Sequence, residues 1–396
     1  MKRNEWIIVV LAILGMFITV GAAVFYQTTR VVKEAEGPFV EELAEEDDLK
    51  GYEEPEETVA YLMAHIMDGD LEKALRSCAI DDLAKYFNMS LYLQYGEDFV
   101  WLDMIPPADS DDEAYCNISR LRLASDYGHK IQECIDQLSS GKELKIYDIA
   151  VDEPENPDGK YYERLSSIEE ILGARDVCEC IVYMSVNDIP LELHLSLARY
   201  KRFWKVILFS PMDQYKMDGL YIIEGEKAPE EAEIMNLSDY QKETLPLNYL
   251  LINSRSEEDI DQMIYNYCIY LQRGDILSAL TYYDFGNGGE EPQFSLELLD
   301  RQEEAARELQ LLYYQMLLWK TDFEWAGRHY EDAPEYIVDF LRIMNMQYVN
   351  FVNAGEIDRN EDEIIYQIRY SYDSGIFSRN LVFSHQDGWK ILRLEY

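Results

Sequence analysis

The sequence predicts an α+β protein with an N-terminal transmembrane helix followed by two repeats, each made of helices packed on a curved antiparallel sheet. Three features predict this class: a long uncharged stretch near the N-terminus, a self-match between two distant parts of the chain, and alternating strand patterns before a Trp-Lys pair in both parts. With 396 residues and a hydrophobic fraction of 48%, the chain has enough apolar side chains for two cores.

The uncharged stretch is Trp6–Tyr26, which is 21 residues long. As a helix it spans about 31 Å, close to a bilayer core of about 30 Å. The small residues of Val20–Ala23 also suit a signal peptidase, so a cleaved signal peptide is the alternative. The apolar run continues past them to Tyr26, which favours an uncleaved anchor. We therefore expect a single-pass cell-membrane protein with residues 1–5 in the cytoplasm and the C-terminal domains outside it.

Acidic residues dominate the chain, with 77 Asp and Glu against 35 Lys and Arg and a formal net charge of −42. Glu34–Glu57 holds twelve acidic residues and one base, Lys50. Such a run resists packing, so residues 27–54 are predicted to form an extended stalk. An acidic surface repels polyanions, so nucleic acid is excluded as a partner, whereas proteins, small molecules and cations stay open.

The self-match is the most informative feature. Gly69–Leu75 parallels Gly274–Leu280, and the apolar stripe before the first copy returns 205 positions later. The stripe has the spacing of one face of an amphipathic helix, and the opposite face would be polar. Pro55 starts the first helix, and Ser256–Asp259 resembles a capping box for the second. The two stripes are Val59, Leu62, Met63 and Ile66, then Ile264, Tyr267, Cys268 and Leu271.

The two copies also end alike, Phe203–Leu208 corresponding to Gly388–Arg393, and an alternating strand precedes each end. This pattern divides the chain into a first α+β repeat (55–212), a linker (213–255) and a second α+β repeat (256–396). Helices are also predicted for Leu296–Leu318 and Pro334–Met344, with residues 116–138 as an insertion in the first copy.

The helix–Gly-Asp–helix start and the terminal Gly388–Ile391 resemble the nuclear-transport-factor-2-like superfamily, the cystatin-like α+β roll in which a long helix packs into a curved sheet. The resemblance covers about three-quarters of the chain. It implies tandem domains of a bacterial membrane-anchored envelope protein. Some members of the superfamily are isomerases or hydratases with an acid–base pair inside the cone, but no such motif matches here residue by residue.

The six cysteines do not form a metal or disulfide pattern. Cys178 and Cys180 alternate with apolar residues in Val177–Val186, which predicts a buried strand face. The five histidines have no metal-binding spacing, and all are interpreted as surface residues: His65 on the polar face of its helix, His194 on the outer face of a strand, His385 in a turn, with His129 and His329.

Three other stretches partly resemble ligand-binding motifs. Asp358–Asp362 resembles the start of a calcium loop, but Glu363 replaces the required glycine and Arg369 the last ligand, so a polar turn between strands is predicted. Asp109–Glu113 suits at best weak cation binding. Gly286–Gly289 lacks the third glycine of a dinucleotide fingerprint. The sequence therefore predicts no catalytic, cofactor-binding or metal-binding residue, and no cofactor.

Three functional hypotheses follow. The first is a membrane-tethered extracytoplasmic binding or scaffolding protein without catalytic activity, contacting the membrane through residues 6–26 and a protein or small-molecule ligand through its domains. The second is an enzyme of isomerase or hydratase type with a pocket inside one cone. The third is a structural or regulatory component of the envelope. A fold of this kind carries unrelated sites, so the fold does not choose among them.

Overall fold

The structure is a computed structural model. It describes residues 51–95, 113–139, 144–152, 159–210, 220–222, 233–247, 249–285, 294–318, 350–360, 363–372, 375–385 and 388–395. All of these residues belong to one compact unit. We call residues 51–247 the first half and residues 249–395 the second half, because each contains one sheet.

The first half places helices before a meandering sheet. Its helices are α1 (Pro55–Asp68), α2 (Leu71–Leu75), α3 (Ile80–Tyr86), α4 (Met89–Tyr95), α5 (Glu113–Ser139) and α6 (Gly159–Leu172), the last lying between the first two strands. Its strands are β1 (Leu144–Val151), β2 (Asp176–Val186), β3 (Ile189–Tyr200), β4 (Phe203–Leu208) and β5 (Leu220–Ile222). They are antiparallel in the order β1-β2-β3-β4, and β5 also pairs with β3.

The second half also has helices before an antiparallel sheet. Its helices are α7 (Ile260–Arg273), α8 (Ile276–Leu280) and α9 (Leu296–Leu318). Its strands are β6 (Asn350–Arg359), β7 (Glu363–Tyr372), β8 (Gly375–His385) and β9 (Trp389–Glu395), antiparallel in that order. The predicted helix Leu296–Leu318 is confirmed as α9. Of the polar turn predicted at Asp358–Asp362, Asp358 and Arg359 are the last residues of β6, and residues 361–362 lie outside the described residues.

The helix boundaries follow from local chemistry. Pro55 stands in the first turn of α1, where its missing N–H leaves no helical bond unmade. Gly69 ends α1 at φ 69°, a left-handed conformation that glycine adopts without strain. Asp70 then caps α2 by accepting from the Lys73 N–H at 3.1 Å. In the second half Asp259, and not the predicted Ser256, caps α7, because its carboxylate accepts from the Asp261 and Gln262 N–H groups.

Each half has a hydrophobic core, and the long helices α5 and α9 join the two cores. Ile118 and Leu121 of α5 lie in the core of the second half, whereas Leu299 of α9 lies in that of the first. The helices approach closely at Gly128, where a Cβ would stand 2.9 Å from Leu296 Cδ1. The halves are therefore packed against each other through shared apolar contacts.

Strands β4 and β9 each form a parallel bridge with the segment that follows a short helix. Cys78 forms a parallel bridge with Val206, and Tyr283 forms a parallel bridge with Ile391. Cys78 and Tyr283 are separated by 205 positions, the shift that relates α1 to α7. The residues that the sequence aligns thus occupy matching places in the two sheets.

The predicted fold class needs one correction, which concerns the transmembrane helix. Trp6–Tyr26, on which that prediction rests, lies outside the described residues. Among the residues that are described, no helix is long and apolar enough to cross a membrane. The two longest, α5 and α9, carry charged side chains along their length, and each such charge costs about 2.5–3.5 kcal/mol at the centre of a bilayer. The described architecture is α+β, with two antiparallel sheets covered by helices.

Candidate functional site

A cleft opens where the segment before α1 passes the start of β4. The Trp204 N–H donates to the Tyr52 carbonyl at 3.0 Å, which fixes the segment against the strand. Gly51 makes the close approach feasible, because a Cβ at this position would stand 2.8 Å from Phe203 Cγ. Gly51 and Tyr52, at the end of the predicted acidic stalk, thus form part of the folded body.

The third wall of the cleft comes from the segment 233–247, which the sequence assigns to the linker. The Arg76 guanidinium donates to the Leu245 carbonyl at 2.8 Å, and the Leu245 N–H donates to the Tyr61 hydroxyl at 3.3 Å. Gln241 also donates to the Asp68 carboxylate at 2.9 Å. These contacts fix the segment across α1 and hold Glu243 and Thr244 beside Tyr52.

The cavity between these three walls measures about 580 Å³, within the range of about 300–1,000 Å³ typical of small-molecule sites. Its lining combines aromatic, charged and hydroxyl groups. The lining residues are Gly51, Tyr52, Glu53, Arg202, Phe203, Glu243, Thr244 and Leu245.

One wall is held by a short hydrogen bond from the Tyr52 hydroxyl to the Glu243 carboxylate. Burial raises the pKa of Tyr52 above its ordinary value, and the hydrogen bond and negative charge of Glu243 raise it further. The phenol therefore stays protonated at neutral pH and remains a donor. This bond orients one oxygen of Glu243 and leaves the other available.

The opposite wall carries a cation over an aromatic ring. The Arg202 guanidinium carbon stands 4.6 Å from the centroid of the Phe203 ring, within cation–π range. Among the described residues Arg202 has no carboxylate partner, although acidic residues outnumber basic ones 77 to 35 in the chain. The Glu53 carboxylate likewise has no ion pair with any described residue. The cleft thus presents an unpaired cation and an unpaired anion together.

Beneath the cleft lies a packed aromatic cluster. The Tyr52 ring contacts the rings of Tyr61 and Tyr240 at centroid distances of 5.8 and 5.7 Å. Tyr61 in turn meets His65 edge-on at 4.5 Å. Burial lowers the pKa of His65, so its ring is neutral at physiological pH. Tyr52, which lines the cleft, is therefore held in place by packing against neighbouring aromatic rings.

His65 corrects one prediction from the sequence. The interpretation as a surface histidine is wrong, because its side chain is 0% exposed and its neighbours Thr58 and Tyr61 are buried as well. The helical periodicity does mark the sheet-facing side of α1. The other side is covered by segment 233–247, and no spacing rule connects that segment to the helix.

A second cluster of ionisable groups lies under β4. Lys205 donates to the Arg76 carbonyl at 3.0 Å, and burial lowers its pKa. Burial raises the pKa of Asp82 to about 6, and the charge of Lys205 opposes that rise. In the second half, Lys390 Nζ stands 3.9 Å from Asp284 Oδ1 at the same place in the sheet. We assign a structural role to both lysines, because each directly follows the tryptophan near the start of its strand, β4 or β9.

The remaining candidates do not converge on a site. Cys180 is buried on β2 as predicted, and burial raises the pKa of the Cys78 thiol to about 12, so it stays protonated. His194 contacts Glu192 on its own strand, and His129 contacts Asp300 across α5 and α9. His385 is the last residue of β8 rather than a turn residue. His329, the acidic loop 109–112 and Gly286–Gly289 lie outside the described residues.

No group of three or more His, Cys, Asp or Glu side chains in the described ranges is placed to hold a metal ion. The sequence did not predict the cleft. Its signals are Gly51 and Tyr52 within an acidic run and Arg202-Phe203 at a strand start, and neither pair suggests a site until the fold brings them together.

One solved crystal structure with a similar fold is that of a cystatin-like protein from Ruminococcus gnavus ATCC 29149. The alignment covers 86% of this chain and 89% of that chain, with a TM-score of 0.66 and 21% identity. No protein-family model matches the chain. No curated protein matches it. At this identity the likeness concerns the fold alone, and the described chain has a cystatin-like fold.

Proposed function

We propose that this protein is a non-enzymatic binding module that takes a small ligand in the cleft lined by Tyr52, Arg202, Phe203 and Glu243. One observation carries the proposal: a cavity of about 580 Å³ whose walls hold aromatic rings together with a guanidinium and a carboxylate that have no ion pair among the described residues. A few polar groups converging on an aromatic wall are what a binding site needs to orient a small molecule.

The packing of α1 supports a site on the surface rather than inside the cone. Ten of the fourteen residues of α1 are buried. The Tyr127 side chain, 0% exposed, fills the space next to the last strand and donates to the Ile207 carbonyl at 2.9 Å. A ligand inside this core would have to displace close-packed side chains.

We further propose that the two halves are copies of one ancestral domain. The matched bridges of Cys78 with Val206 and of Tyr283 with Ile391 support this. So does the contact of Trp204 with Tyr52, which is matched by the Trp389 N–H donating to the Glu257 carbonyl at 2.7 Å. On this proposal the scaffold is common to both halves and the cleft is a specialisation of the first.

Hydrogen exchange with a small-metabolite library tests the binding function in the full chain. A ligand in the cleft should protect the amides of 51–53, 202–203 and 243–245, and should be recovered chemically unchanged. Protection confined to α1 and the inner strands would place the ligand in the cone instead. Conversion of the ligand into a product would contradict a non-enzymatic function.

The enzyme hypothesis retains one specific observation, the Asp82 and Lys205 pair with shifted pKa values. If the pair acted in acid–base chemistry, Lys205→Met would abolish a turnover that Lys390→Met left intact. If it serves the fold, both variants should change stability and neither should change a reaction. Unfolding curves and a turnover screen of the two variants separate these outcomes.

A further inference from the structure

We propose that the cleft recognises a small zwitterion, namely a free amino acid or a short peptide that presents one carboxylate and one ammonium group. The inference rests on the proposed binding function and specifies the chemistry of its ligand. It follows from the charges and the lining of the cleft and from a comparison with the second half of the molecule.

Arg202 supplies the group for the ligand carboxylate. A guanidinium offers a planar fork of N–H donors that matches the two oxygens of a carboxylate. The guanidinium carbon stands 4.6 Å from the centroid of the Phe203 ring, and this cation–π contact favours one position of the side chain at the cleft. Because Arg202 has no carboxylate partner in the described part of the chain, its donors lack a charged acceptor until a ligand brings one.

Glu53 and Glu243 supply the groups for the ligand ammonium. Glu53 has no ion pair among the described residues, and Tyr52 occupies only one side of Glu243. The Thr244 hydroxyl lies in the same lining and offers a further acceptor. An ammonium has three donors and no acceptor, so it suits this part of the wall.

The balance of charge within the cleft excludes simpler ligands. Its ionised side chains are one arginine and two glutamates, in a chain of net charge −42. A polyanion would be repelled by the whole chain, and a pure cation would leave Arg202 unpaired beside a second positive charge. A zwitterion satisfies both signs and does not add net charge.

The second half shows which residues are special to this cleft. By the shift of 205 positions, Tyr52 and Glu53 correspond to Glu257 and Glu258. In the last strand, Phe203 corresponds to Gly388, since Trp204 corresponds to Trp389. The second half therefore keeps the acidic position and lacks the aromatic wall, so it provides matched controls within one molecule.

The test is calorimetric titration of the full chain with the twenty free amino acids and a set of glycyl dipeptides. Each ligand that binds is compared with two analogues, the amine that lacks its carboxylate and the acid that lacks its ammonium. We expect the zwitterion to bind at least about tenfold more tightly than either analogue, because each analogue loses a charge-assisted hydrogen bond.

Two variants assign the charges, each with a matched control. Arg202→Ala should weaken binding of the amino acid about tenfold or more without weakening binding of the amine analogue, whereas Arg273→Ala, an exposed arginine of α7, should change neither. Glu53→Gln should weaken binding of the amino acid without weakening binding of the acid analogue, whereas its counterpart Glu258→Gln should change neither.

Several results would overturn the inference. One is an amine analogue that binds as tightly as its amino acid, which would make the cleft a cation site. Another is full affinity in Arg202→Ala. A third is binding of library compounds at the cleft without binding of any amino acid or dipeptide, which leaves the proposed function standing and removes the zwitterion. Absence of binding by every compound would remove both.

Discussion

In each half, the residue before the tryptophan of the Trp-Lys pair packs against the segment that precedes the first helix; we call this contact the crossing. The two halves differ in which side of the crossing is a glycine. In the first half, Gly51 faces Phe203, and a Cβ on Gly51 would stand 2.8 Å from the ring. In the second half, Ser256 faces Gly388, and a Cβ on Gly388 would stand 2.8 Å from Ser256 Cβ. Each crossing has room for one side chain. In the first half that side chain is Phe203 of β4, which forms the aromatic wall of the cleft.

The comparison shows how similar backbone contacts can carry different side chains. The backbone hydrogen bond that closes the crossing is the same, from Trp204 to Tyr52 at 3.0 Å and from Trp389 to Glu257 at 2.7 Å. The side chains around it are free to differ because they do not form that bond. The side chains of the cleft, such as Phe203, therefore differ between two contacts that have this backbone hydrogen bond in common.

The largest losses of stability are expected for substitutions of the glycines at the two crossings, Gly388 and Gly51. Gly388 combines the close contact with φ 92°, so Gly388→Ala should destabilise the chain by about 2–4 kcal/mol. Gly51 has the close contact alone, so Gly51→Ala should cost about 1–2 kcal/mol. Urea unfolding of the full chain measures both.

Two further glycines serve as controls for that series. Gly69 has φ 69° and open space, so Gly69→Ala should cost about 1 kcal/mol. Gly355 has open space and no unusual φ, so Gly355→Ala should have almost no effect. A Gly355 variant as damaging as the Gly388 variant would show that the crossing does not account for the losses.

A more specific test places the residue pairing of the second half in the crossing of the first half. Gly51→Ser alone should destabilise the first half by about 1–2 kcal/mol, because the added side chain meets Phe203. Gly51→Ser combined with Phe203→Gly copies the pairing of the second half. A double-mutant cycle should therefore give a favourable coupling of about 1 kcal/mol or more, measured by denaturation. Strict additivity would mean that the two positions do not share one space.

Lys205 and Lys390 should also contribute differently to the stability of the chain. Lys205 both donates to the Arg76 carbonyl and faces Asp82, so Lys205→Met should cost about 1–3 kcal/mol at pH 7. The Asp82 part of that loss should shrink below pH 6, as its carboxyl becomes protonated. Lys390 has a looser contact of 3.9 Å, so Lys390→Met should cost less than about 1 kcal/mol. Equal losses at pH 7 would contradict the asymmetry.

The smallest effect concerns the junction of the halves. Burial raises the pKa of Asp126 on α5 to about 7, against the opposing charges of Arg122, His129 and Arg307, while Glu303 adds to the rise. The folded state thus keeps a proton that the unfolded state loses near pH 4, so this carboxyl lowers the stability progressively as pH rises from about 4 to about 7.

Asp126→Asn removes this titration. The variant should gain stability relative to the native chain at pH 8 and gain little or none at pH 4, as measured by thermal unfolding at both pH values. Asp136→Asn, exposed near the end of the same helix, is the control. A gain that does not change with pH would contradict the shifted carboxyl.

The sequence predicted those features that depend on neighbours along the chain. Apolar spacing located α1 and α7, alternation located β2 with Cys180, Val182 and Met184 facing inwards, and α9 matched its predicted range. The cleft depends on residues far apart, since Tyr52 and Glu243 are separated by 191 positions. No periodicity connects them, and the burial of His65 escaped prediction for the same reason.

A triple variant that replaces cleft residues of the first half with their counterparts in the second half tests whether the cleft is the binding site. The variant Tyr52→Glu, Arg202→Asp, Phe203→Gly carries at each position the residue of Glu257, Asp387 and Gly388. Calorimetric titration with an amino acid that binds the native chain should show binding lost, with circular dichroism unchanged. Undiminished affinity in a folded variant would contradict the assignment of the cleft as the binding site.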